Sequence, residues 1–134
     1  MTPTSAIAQN EQSLAQQATP PRRVLVVDDD AEMRAYIREC LAGLPVRVEE
    51  AVDGQDALER IHAGRAEDVA LVITDIVMPR MDGLALKDAL RAAPPLAGIP
   101  VLLITGEAVR PRDGPVLRKP FNTRKLRAAV QALL

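Results

Sequence analysis

The amino-acid sequence predicts an α/β fold, a parallel sheet of five strands covered by helices on both faces. Two observations carry this. Short strand-like runs recur at VLVV (24–27), the more polar VRVEEAV (46–52), VALVIT (69–74), IPVLLIT (99–105) and VLRK (116–119). Between most of them, apolar residues return every three or four positions, the spacing of a helix buried on one face. Strands alternating with helices imply right-handed crossovers and therefore a parallel sheet. A length of 134 residues, 48% of them hydrophobic, suits one core, since domains commonly run about 100 to 150 residues.

The elements follow in order. Residues 1–21 are rich in Gln, Ala, Thr and Pro, with only Ile7 and Leu14 as larger aliphatics. Such a stretch buries too little apolar surface to offset its ordering entropy. A disordered tail over 1–21 is expected ahead of a domain over 22–134, with Pro20 and Pro21 at the boundary. After the first strand, Met33, Ile37, Cys40, Leu41 and Leu44 form one helical stripe, which Gly43 and Pro45 end. On that stripe Cys40 is expected to be a plain core residue. A second helix over 53–62 turns Ala57, Leu58 and Ile61 inward and leaves His62 to solvent. A loop through Pro79 and Gly83 leads to a third helix over 84–92. The last helix, 123–134, buries Leu126, Val130 and Leu133.

Composition narrows the function classes. Trp is absent and there is one Tyr and one Phe, so stacking on bases is not a main mode of recognition. The single Cys forms no internal disulfide, which favours a reducing compartment. No charged start precedes an apolar stretch, and no run approaches the roughly 18 apolar residues of a membrane span. A soluble, cytoplasmic protein with no membrane partner is expected. The net charge of −1 hides 10 basic and 15 acidic residues over 22–106 against 7 basic and 2 acidic over 107–134. Without aromatics or a DNA-binding motif, nucleic acid is not the expected partner of the basic part. Arg124, Lys125 and Arg127 fall in the first turns of the last helix, where cations oppose the helix dipole. They are either solvated or a docking face for an acidic partner surface, and on the docking reading reversing Arg124 and Arg127 to Glu would stabilise the domain slightly while slowing phosphotransfer from a kinase.

The strand ends carry the chemistry. Parallel strands share a direction, so their C-terminal ends share an edge, where open α/β sheets bind ligands. Asp28, Asp29, Asp75, Thr105 and Lys119 would meet there. Carboxylates, a hydroxyl and an ammonium suit a hard cation and a phosphoryl group. Asp29 or Asp30 can instead cap the following helix. Asp75 has no capping duty, because Ile, Val, Met and Pro follow it and no helix starts there.

VLVVDDD, LVITDIVMPRMDG, VLLITG and VLRKPF, in that order and spacing, resemble the receiver domain of two-component response regulators, over residues 22–134. The resemblance implies a flavodoxin-like (βα)5 doubly wound sheet. It makes Asp75 the acceptor of a phosphoryl group from a histidine kinase or a histidine phosphotransfer protein. Asp28 and Asp29, with Asp75 and the backbone carbonyl of Val77, would hold Mg²⁺. Lys119 would pair with the phosphoryl oxygens, to which the Thr105 hydroxyl and the backbone N–H groups of Ile76 and Gly106 would donate. Pro120 matches a family proline that follows a cis bond. The chemistry agrees, since a divalent cation resolves the repulsion of clustered carboxylates, and phosphoryl transfer needs positioned charge above all. The resemblance implies a signalling phosphoacceptor, not an enzyme, with intrinsic chemistry limited to autophosphorylation from small phosphodonors and autodephosphorylation.

Two departures stand out. Only 14 positions separate Thr105 from Lys119, and they include prolines and glycines, so the fourth helix of the repeat is expected to be short, irregular or missing. Val116 stands where many receivers carry a switching Tyr or Phe, and that switch cannot operate. Both features, with Leu103-Ile104-Thr105-Gly106-Glu107, partly resemble alphaproteobacterial receivers of the Phe-Ala-Thr-Gly type. The chain ends at Leu134 with no output domain after the last helix, so a stand-alone regulator is expected ahead of a receiver excised from a hybrid histidine kinase, with a monomer the expected state. A haloacid dehalogenase-type phosphatase using Asp28 and Asp30 is the enzyme alternative, although Glu32 stands where that family has Thr or Val. A receiver-like scaffold that never accepts phosphate is the third.

Overall fold

A computed structural model describes residues 22–106 and 114–134. The expected tail over 1–21 and most of the segment expected to replace the fourth helix lie outside the described residues. The elements are β1 (Arg22–Val27), α1 (Ala31–Cys40), β2 (Val46–Ala51), α2 (Gly54–Ala63), β3 (Val69–Asp75), α3 (Gly83–Ala92), β4 (Val101–Thr105), β5 (Val116–Arg118) and α4 (Thr123–Leu133), with 3₁₀ turns at Ala66–Asp68 and Pro94–Leu96. All pairings are parallel and the strand order is β2-β1-β3-β4-β5, the flavodoxin-like order. The order reverses beside β1, so the end of β1 lies next to the end of β3.

The apolar runs are continuous because both faces of the sheet are covered. Val24 and Val26 pack with Ile37, Cys40, Leu41, Leu126 and Val130 beneath α1 and α4. Leu25 and Val27 pack with Ala57, Ile61, Leu86 and Leu90 beneath α2 and α3. The two-residue period of a strand thus feeds both layers from one run. Leu133 is only partly buried, while Cys40 is buried and His62 exposed, as expected.

Each of the four described α-helices starts on an Asx cap. Asp30 accepts from the Glu32 N–H, Asp53 from Asp56, Asp82 from Ala85 and Asn122 from Lys125, each satisfying an otherwise orphan donor. Gly83, expected in the loop, is instead the first residue of α3. Its N–H donates to the Ile76 carbonyl at 2.8 Å, and a methyl group there would run into the carbonyl of Asp75. Only glycine lets α3 start this close to the end of β3.

Arg127 departs from expectation. Its Nη1 donates at 2.9 Å to the carbonyls of Cys40 and Ala42, capping the C-terminal end of α1, where a cation is favourable. Arg127→Glu is therefore expected to destabilise the domain by about 1 to 3 kcal/mol, the cost of losing charged hydrogen bonds and placing an anion there. Urea unfolding followed by circular dichroism checks this, and equal or greater stability in the variant would show that the bridge contributes nothing. Arg124 and Lys125 remain exposed.

Candidate functional site

The C-terminal edge of the sheet gathers the expected residues because of register. Val27 pairs with Thr74, so Asp28 and Asp75, one step further on, sit side by side. Asp75 pairs with Ile104 across β3 and β4, and Thr105 with Arg118 across β4 and β5. The Lys119 N–H donates to the Thr105 carbonyl at 2.8 Å, which carries the lysine to the same edge. The Lys119–Pro120 bond is cis.

One carboxylate oxygen from each of Asp28, Asp29 and Asp75 lies within 4.8 Å of the others. Oxygen donors so spaced fit a hard divalent cation. Lys119 Nζ lies 3.6 Å from Asp75 Oδ1, and the same oxygen accepts from the Ile76 N–H at 2.9 Å. Thr105 is buried at the end of β4, and Gly106, just beyond it, is exposed. Val77 is 66% exposed on the loop that follows Asp75. The edge thus brings together every residue that the sequence placed there.

The three aspartates of the first strand end have separate environments. Asp30 caps α1, leaving Asp28 and Asp29 to the edge. Asp28 is 2% exposed, and burial pushes its pKa up from 3.8 to about 6, aided by the neighbouring charge of Asp75. The Asp30 N–H, donating to Asp28 Oδ1 at 2.9 Å, opposes that rise. A buried carboxylate among acids is costly as an anion without a cation beside it.

Sequence reasoning missed the groups that brace this edge. Arg34 Nη1 donates to the Asp28 carbonyl at 2.8 Å, while its Nε donates to Glu50 at 3.0 Å, tying α1, β2 and the β1 end together. Asp53, read only as a helix start, is 3% exposed and accepts two hydrogen bonds from Arg80. Arg80 holds the carboxyl of Asp53 below the usual carboxylate range. Nothing in the local sequence marks Arg80, because its partner lies 27 positions away.

A family model of the response regulator receiver domain matches residues 24–131, and the chain belongs to that family. The response regulator receiver protein CpdR of Brucella abortus (strain 2308) is 35% identical over 121 residues, 84% of this chain and 97% of that protein. The response regulator MprA of Mycolicibacterium vanbaalenii is 38% identical over 122 residues, 85% of this chain and 51% of MprA, so the chain spans about half of that relative. Among solved structures, the chemotaxis response regulator CheY4 of Vibrio cholerae gives a TM-score of 0.76 at 29% identity, covering 86% of this chain and 100% of that one. Receiver domains are signalling phosphoacceptors of two-component systems, work with histidine kinases or phosphotransfer proteins, and bind Mg²⁺ at an acidic pocket. The phosphatase alternative falls with the family match, and Asp30, its second carboxylate, is committed to a cap. No described helix is long and apolar enough to cross a membrane.

Proposed function

We propose that Asp75 is the phosphoacceptor of this receiver, with Asp28, Asp29, Asp75 and the Val77 carbonyl holding Mg²⁺. The observation that carries this is the clustering of three carboxylates with Lys119 3.6 Å from Asp75, on the sheet edge where such folds bind ligands. The family match over 24–131 supports a receiver unit over 22–134. In the transfer, an Asp75 carboxylate oxygen attacks phosphorus and forms an O–P bond. The N–P bond of the donor phosphohistidine breaks, and the imidazole nitrogen keeps the pair. Small phosphodonors such as acetyl phosphate can serve in its place, with an O–P bond breaking instead. Lys119 offsets charge on the phosphoryl oxygens, and the Thr105 hydroxyl with the Ile76 and Gly106 N–H groups donates to them, so that positioned charge does the catalysis. Mg²⁺, when bound, supplies charge that draws phosphate oxygens into an otherwise acidic pocket.

The test is acid-labile labelling by acetyl phosphate. Labelling that requires Mg²⁺ is expected, and Asp29→Ala should weaken Mg²⁺ binding by removing one direct ligand while the exposed position leaves stability within about 0.5 kcal/mol. Labelling indifferent to Mg²⁺, or an unchanged Mg²⁺ titration in Asp29→Ala, would place the metal elsewhere. A lack of labelling altogether would favour a receiver-like scaffold.

A further inference from the structure

We infer that Arg80 is a positioning residue for the metal-facing loop: clamped to the buried carboxylate of Asp53, it fixes the outer end of the segment that carries Val77. The inference rests on the assignment of the Val77 carbonyl to Mg²⁺ made above. The segment between β3 and α3 is fastened at its base, where the Gly83 N–H donates to the Ile76 carbonyl at 2.8 Å. In its middle, Met78 is buried in the core beneath α2 and α3. At its outer end, Arg80 Nε donates to Asp53 Oδ2 at 2.7 Å and Nη2 to Oδ1 at 3.0 Å. Beside that pair, the Gly54 N–H donates to the Met81 carbonyl at 3.0 Å, and a methyl at Gly54 would lie within 3 Å of Met81.

The asymmetry of the pair shows which partner holds which. The Asp53 side chain is 4% exposed and that of Arg80 58%. Asp53 also caps α2 through the Asp56 N–H at 2.8 Å, so the acid belongs to the rigid scaffold. Arg80 reaches out of the loop to it. Its backbone has φ of 64°, a left-handed conformation that a non-glycine residue keeps only where its surroundings hold it. A planar guanidinium binding a fixed carboxylate through two parallel bonds sets orientation as well as distance. Val77, between the base and the clamp, is mostly exposed, so its carbonyl takes its place from these anchors more than from its own side chain. Mg²⁺ demands near-ideal octahedral geometry. Slack in one carbonyl ligand therefore lowers metal affinity.

Positioning and plain electrostatics predict opposite signs. Removing a cation near a cation site, and leaving Asp53 unpaired, would by Coulomb's law alone tighten Mg²⁺ binding. Removing a brace weakens it. Arg80→Asn is the variant of choice, because Asn tolerates the left-handed conformation without the added freedom of glycine. We expect its Mg²⁺ dissociation constant, from amide-shift titration by NMR, to rise about tenfold, as is common when outer support of a metal ligand is lost. The acetyl phosphate labelling rate at saturating Mg²⁺ should stay within about twofold of the wild type, and Arg80→Lys, a single point charge in place of the fork, should fall between. Unchanged or tighter Mg²⁺ binding in Arg80→Asn overturns the inference, even with lower thermal stability, which would make Arg80 a structural brace alone. A lower maximal rate at unchanged Mg²⁺ affinity also overturns it, by placing Arg80 on the reacting group. Asp29→Ala separates the two layers: if it loses Mg²⁺ while Arg80→Asn does not, only the positioning role fails, and if neither changes, the site assignment itself fails.

Discussion

Asp75→Asn is expected to abolish labelling by acetyl phosphate and by a cognate kinase while leaving the domain folded. The amide keeps the shape of the carboxyl, and its carbonyl oxygen can still accept from the Ile76 N–H, which lies 2.9 Å from Asp75 Oδ1. What disappears is the nucleophilic oxygen and the ion pair with Lys119. That pair is partly solvated, with the lysine side chain 31% exposed, and such pairs contribute about 0 to 1 kcal/mol. Thermal unfolding should therefore shift by a few degrees at most. The activity loss, in contrast, should be complete within detection, since among the described residues no other carboxylate pairs with Lys119. Labelling at the wild-type rate would move the acceptor to another residue.

Asp28→Asn should have the opposite effect on stability. Because burial raises the folded-state pKa of Asp28 from 3.8 to about 6, the folded domain disfavours the carboxylate more than the unfolded chain does. The sign follows from linkage. The destabilisation is fully present above about pH 6, shrinks as the pH falls through that value, and is gone below 3.8, where both states are protonated. At pH 7.5 without metal, Asp28→Asn is expected to stabilise the domain by about 1 to 3 kcal/mol, the equivalent of the shift at about 1.4 kcal/mol per unit. The gain should shrink toward pH 4.5. With Asp28 as a Mg²⁺ ligand, as proposed, Mg²⁺ would bind only the folded site and stabilise the wild type by mass action, so the variant should also lose that Mg²⁺-dependent gain. Urea unfolding with and without Mg²⁺, at both pH values, tests the two parts together. A destabilised variant in the absence of metal would show that Asp28 is not held at a cost.

Both expectations depend on features that were unequally legible in the chain. The strand runs were readable because a sheet buried on both faces needs unbroken apolar sequence, and VLVV and VLLIT supply it. The helices were readable from their stripes, as Ile37 and Cys40 on α1 and Leu126 and Val130 on α4 confirm by burial, although α1 ends at Cys40 and leaves the expected Leu41 and Leu44 beyond it. The place of Asp75 on the edge was readable because it ends a strand without capping a helix. The division of labour among Asp28, Asp29 and Asp30 was not, since Asp suits both a cap and a metal site. The structure gives the cap to Asp30, whose carboxylate accepts from the Glu32 N–H.

The sequence by itself determined the alternation of strands and helices, the inward stripes of three helices apart from Leu133, and the position of the acids and lysine at the strand ends, because periodicity and strand-end position are local properties. Only the tertiary structure decided that Arg127 caps α1, that Gly83 opens α3 against the Asp75 carbonyl, and that Arg80 grips Asp53. Each of these joins residues far apart in the chain or requires a clearance of a single methyl group. Hydrogen-bond geometry and steric contact at that scale depend on where whole elements come to rest, and no local pattern of residue types encodes it.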